Sequence, residues 1–166
     1  MDSAQQLRNA ASWHALIASI REHPDNDYWI LWKQLAMRFV QKAVDSGLNN
    51  YFRAGRSMNH LVFSTLDRNG LRDEPRVTIV IRTKSEIQIA YGNSNRLFGS
   101  PELEYTLPLE EGFSTFRRFL HQLWTATISD PIPEEMRGPI NPISCAVFPT
   151  IGNGQFAESV LPTIGR

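Results

Sequence analysis

Arg53, Arg56 and His60 fall within eight residues of one another, with Gly55 between the two arginines. Guanidinium groups hold oxyanions by forked, charge-assisted hydrogen bonds, and a glycine lets the backbone come close to an anion. An imidazole exchanges protons near neutrality. Together these residues would suit a phosphate- or nucleotide-binding enzyme in which Arg53 and Arg56 hold the anion and His60 is the catalytic acid or base, with Arg76 or Arg82 one strand away. The stretch has neither the lysine of a phosphate-binding loop nor the three glycines of a dinucleotide fingerprint. The plainer expectation is a turn whose arginines pair with nearby carboxylates, which makes Arg53 and Arg56 mainly structural.

A second basic set, Arg76, Arg82, Lys84 and Arg96, lies further along. Spread over an open face, it would form a partner-binding surface for another protein. Residues 51–100 hold eight bases against four acids and residues 101–166 four against eight, while the whole chain balances at 17 of each. The absence of a global field, and of aromatics interleaved with the bases, argues against nucleic acid as a partner.

Other chemistry finds little support. His14, His23, His60 and His121 show no paired metal-ligand spacing, so neither a metal nor a cofactor is expected. Cys145 is the only cysteine and stands beside Ser144, Ala146 and Val147, with no local cation to activate it. It reads as a small buried hydrophobe, and its solitude fits a reducing compartment. With no stretch of about 18 apolar residues and no leader-like start, the expectation is a soluble, cytoplasmic protein away from membranes.

The elements that must position these residues follow from periodicity. At 166 residues, with 42% hydrophobic, 10% aromatic and 20% charged content, the chain suits one α+β domain over 1–166. Residues 1–47 read as a helical hairpin. In its first helix, Leu7, Ala11, Ala15 and Ala18 recur at spacings of four and three, widened by Leu16, Ile17 and Ile20. Pro24 and the Asx residues around it break the pattern. Asp27 is placed to cap a second helix that carries Trp29, Trp32, Leu35, Ala36, Phe39 and Val40 on one side and stops at Ser46 and Gly47.

Residues 56–107 read as a four-stranded antiparallel meander. Its strands are Met58 to Leu66, Arg76 to Arg82, Glu86 to Tyr91 and a last one ending at Leu107, with Thr83, Lys84 and Ser85 as a tight hairpin. A third helix over 112–127, with Phe113, Phe116, Phe119, Leu120, Leu123 and Trp124 on one stripe, should pack on one sheet face. Residues 130–166, rich in proline and glycine, form an extended C-terminal wrap in which Ser144 to Phe148 is a candidate edge strand.

The architecture is thus a two-layer sandwich. In function class it points to a non-enzymatic protein-binding module: an adaptor, an inhibitory or toxin-neutralising partner, or a subunit of an assembly. A homo-oligomer is compatible with it, and the phosphate- or nucleotide-binding enzyme is the alternative.

Overall fold

The computed structural model describes residues 2–65, 75–93 and 103–137. Helix α1 (Ser3–Arg21) is capped by Asp2, whose carboxylate accepts from the Gln5 amide at 2.6 Å. Helix α2 (Asp27–Asp45) is capped by Asn26 accepting from the Trp29 amide at 3.1 Å. The cap lies one residue before the expected Asp27, because Asn26 is the extended residue whose side chain meets the first-turn amides. At the far end Gly47 adopts φ 74°, the left-handed stop that a glycine accepts without a Cβ penalty.

The buried stripe of α1 differs from the expected one. Asn9, Trp13, Leu16 and Ile20 face inward at spacings of four, three and four, whereas Leu7 is 72% exposed and Ala11, Ala15 and Ala18 also face out. Alanines offer little surface to bury, so Trp13 and Ile20 decide how the helix is turned.

Five antiparallel strands follow, one more than expected: β1 (Arg53–Ser57), β2 (His60–Ser64), β3 (Pro75–Ile81), β4 (Glu86–Asn93) and β5 (Leu103–Pro108), paired in sequential order. The additional strand is β1. Its sequence lacks apolar alternation because it is an edge strand with only Ala54 buried. Met58 and Asn59 close the hairpin between Ser57 and His60, and Met58 takes the positive φ of 56° that so short a loop demands. The strand expected to begin at Met58 therefore begins at His60.

Pairing places Ala54, Phe63, Val77, Tyr91 and Leu103 in one row across the sheet, and Arg56, Leu61, Ile79, Ile89 and Tyr105 in the next. Ile81, Ile87 and Leu107 complete that face. These rows share one core with the buried residues of α1, α2 and α3 (Leu109–Thr127). Arg56 is the only charged member of the rows.

A chain of rings binds the layers. Trp13 of α1 meets Phe63 of β2 at 5.3 Å between centroids, Phe63 meets Phe116 of α3 at 4.7 Å, and Phe116 meets Phe39 of α2 at 5.1 Å. The tilted and edge-on geometries are those that aromatic quadrupoles favour. Helix α3 lies so close to β4 that a Cβ on Gly112 would sit 2.8 Å from Cγ2 of Ile87.

Beyond α3 the indole of Trp124 donates to the Asp130 carbonyl at 3.0 Å, and Met136 is buried in the common core. The described start of the C-terminal segment thus turns back onto the body. The remainder of the expected wrap, with Cys145 and the edge strand at Ser144 to Phe148, lies outside the described residues. Among the described residues no helix is long and apolar enough to cross a membrane.

Two substitutions test this packing. Phe116→Ala removes the ring that touches three others and should cost about 3 to 5 kcal/mol. Gly112→Ala adds a single carbon where there is no room and should cost about 1 to 3 kcal/mol. Chemical denaturation measures both, and a Gly112→Ala variant as stable as the parent would show that α3 does not approach β4 so closely.

Candidate functional site

Strand alternation distributes the basic residues over two faces. Ala54 and Arg56 belong to the helix-covered face, while Arg53, Gly55 and Ser57 belong to the other. Register then puts His60 opposite Ser57 and Val80, so His60 projects away from Arg56. Arg53, Arg56 and His60 are close in sequence but do not converge. Arg76 on β3 and Arg82, the residue just past its end, share the second face with His60.

On that second face His60 and Arg82 are exposed, Arg76 and Glu104 are half-buried, and Gln88 accepts a hydrogen bond from Nη2 of Arg82. Val62 and Val80 are buried there but are not part of the common core. Although its side chain reaches solvent, partial desolvation against the sheet and then the positive charges of Arg82 and Arg76 hold His60 below the usual histidine value. Burial raises the Glu104 carboxyl, and Arg82 partly opposes the rise. Lys84, in the hairpin after β3, is exposed at the same end as Arg82. Arg96 lies outside the described residues.

A second locality is the cleft between α1 and the outer edge of β1. It is an open cleft of about 630 Å³, lined among the described residues by Ser12, Ala15, Leu16, Ser19, residues 53–56 and Met58. Both Arg53 and Arg56 border it, and Arg56 is held in it by hydrogen bonds. Its Nε donates to Ser19 Oγ at 3.0 Å, and its Nη1 donates to the Met58 carbonyl at 2.9 Å and to Nε2 of His23. Because a guanidinium has no lone pair to offer, Nε2 of His23 must be the acceptor, which fixes the imidazole as neutral and protonated at Nδ1.

His23 lies between the two helices. Its ring stacks on Trp29 at 4.0 Å and meets the edge of Trp32 at 5.2 Å. Lys33 donates to the His23 carbonyl at 2.9 Å and pairs with Asp25 at 2.7 Å. Desolvation, then Arg56 and Lys33, hold its pKa below the ordinary value. Sequence reasoning missed this residue, since its partner lies 33 positions away and no local pattern links the two. The two tryptophans have the packing role expected of them: Trp32 is buried, and Trp29 packs against the core.

Among the described residues no group of three side chains gathers that could hold a metal ion. His14 and His121 stand apart on α1 and α3.

The lowered values of His23 and His60 give stability a definite pH dependence. As pH falls below about 6.5 the unfolded chain takes up protons that the folded chain does not yet bind, so stability drops through that window and levels off once both states are protonated. The raised carboxyl of Glu104 acts in the opposite sense from its ordinary value near 4.5 upward. His23→Gln retains an acceptor for Arg56 but cannot titrate. Melting curves between about pH 7.5 and pH 5 should therefore fall less steeply for this variant than for the parent, and equal slopes would remove His23 from the account.

Comparison with protein-family models, with curated proteins and with solved structures finds no match to this chain.

Proposed function

We propose that the chain is a non-enzymatic, cytoplasmic protein-binding module that docks an acidic surface of its partner on the second face of the sheet, at the end carrying His60, Arg82 and Lys84. The observation that carries this reading is the sharing of one sheet face by His60, Arg76 and Arg82, close enough for both arginines to depress the histidine. A flat array of cations complements carboxylates on a partner and speeds their encounter. Arg76 adds to the field, although its own partial burial makes it the less suitable residue to mutate.

An enzyme built on Arg53, Arg56 and His60 is the weaker reading, since Arg56 and His60 project from opposite faces. The solitary Cys145, which allows no intrachain disulfide, favours a reducing compartment. Adaptor, inhibitor and assembly subunit are all forms that such a module could take.

The test is charge reversal. Arg82→Glu combined with Lys84→Glu changes exposed groups, so the fold should retain its melting temperature within about two degrees. Affinity capture from native cell extract, followed by titration of the captured partner, should give a protein with an acidic surface whose binding weakens about tenfold or more in the double variant and on raising salt. Undiminished binding of the same partner by the variant would reject this face as the interface.

A further inference from the structure

We propose that the cleft between α1 and β1 is a binding site for a small oxyanion, of carboxylate or phosphate type, carried on a ligand with a short apolar part. This site is separate from the sheet face assigned to the protein partner.

The argument begins with the charge on Arg56. All three of its partners, the Ser19 hydroxyl, the Met58 carbonyl and the His23 imidazole, are neutral. Its Nη2 makes no hydrogen bond among the described residues. A half-buried guanidinium normally gathers a carboxylate, because a charge removed from water needs an opposite charge or a full set of acceptors. Among the described residues the cleft lining contains no acid. It offers instead the Arg56 guanidinium, with Arg53 on its border, and a backbone at Gly55 where no side chain limits close approach; the Ser12 and Ser19 hydroxyls already donate to the Asn9 and Leu16 carbonyls and serve to hold Ala54 and Arg56.

The remaining geometry suits a ligand. Nε and Nη1 of Arg56 are held on three sides by α1, the turn between the helices and the hairpin tip, so the guanidinium is oriented before anything binds. That order reduces the entropy lost on binding. Ala15, Leu16 and Met58 supply an apolar wall, and about 630 Å³ falls within the range of small-molecule sites. The ligand therefore presents an oxyanion to Arg56 and an apolar group to α1.

Backbone amide NMR of the full chain supplies the test, using sodium sulfate and sodium acetate as separate probes against sodium chloride at equal ionic strength. Saturable shifts at Ser12, Ser19, Gly55, Arg56 and Met58 are expected with at least one probe. Sulfate alone would indicate a phosphate-type head group, acetate alone a carboxylate, and both an undemanding oxyanion site. Ala15→Glu is the informative variant, because residue 15 is exposed on a helix that glutamate tolerates, and the new carboxylate would compete for Arg56. It should weaken binding by about tenfold or more, as should Arg56→Gln where that variant folds. Absence of saturable shifts with either probe, shifts confined to the face of Arg76 and Arg82, or unchanged affinity in Ala15→Glu would each overturn the proposal.

Discussion

The outer edge of β1 is paired with a helix where a further strand would otherwise lie, and the rest of the molecule is arranged around that substitution. Asn9 donates to the Asn50 carbonyl at 3.0 Å, Trp13 to the Phe52 carbonyl at 2.6 Å, the Ala54 amide to Ser12 Oγ at 2.9 Å, and Arg56 to Ser19 Oγ at 3.0 Å. These four contacts fall on alternate residues from Asn50 to Arg56, the last two within β1, and draw on α1 between Asn9 and Ser19. The match is possible because about ten helical residues and about five strand residues span similar lengths, near 15 Å. An edge strand with unsatisfied amides and carbonyls invites pairing with other chains, and α1 removes part of that liability with side chains.

This arrangement explains why polar residues occupy the inner side of α1. Asn9 is fully buried, and Ser12 and Ser19 face the strand. A wholly apolar helix face would have left the Asn50 and Phe52 carbonyls and the Ala54 amide without these partners, and a buried polar group left unsatisfied costs about 1 to 3 kcal/mol. The same ladder ends at Arg56, where the helix and strand give way to the cleft.

Helices α2 and α3 and strands β3 to β5 were legible in the sequence because their apolar residues recur with one period throughout. The inward positions Trp32, Phe39, Ile79, Ile89, Phe116 and Leu120 are all buried. Strand β1 was not legible, since Arg53, Gly55 and Ser57 face outward, Arg56 occupies a place in a core row, and Ala54 alone marks the buried side. The stripe read through Leu7, Ala11, Ala15 and Ala18 omits Trp13, although the tryptophan buries far more surface than an alanine and also satisfies a carbonyl. Of the candidate residues, the association of Arg76, Arg82 and His60 was readable from strand parity. The link of Arg56 with His23 depends on a tertiary contact between the inter-helix turn and the hairpin, which no local pattern encodes.

The separation of the two candidate sites rests on the length of one turn. With two residues between Ser57 and His60, Arg56 pairs with Leu61 and shares the core face, while His60 faces the opposite side. One more residue in the loop would bring His60 and Val62 to the face of Arg56 and turn Leu61 and Phe63 outward, since a shift of one position inverts a strand. Phe63 cannot follow, because its ring is held between Trp13 and Phe116 and is fully buried. The register is therefore set by the core, and the hairpin must accommodate it by holding Met58 at a positive φ that costs a side-chain-bearing residue roughly 1 to 2 kcal/mol. The Met58 carbonyl accepting from Arg56 and the Asn59 carbonyl accepting from Trp32 at 3.2 Å offset that cost. A strained turn, fixed by aromatic packing on one side and by Arg56 on the other, is what keeps the cleft at Arg56 and the basic sheet face distinct on a hairpin of so few residues.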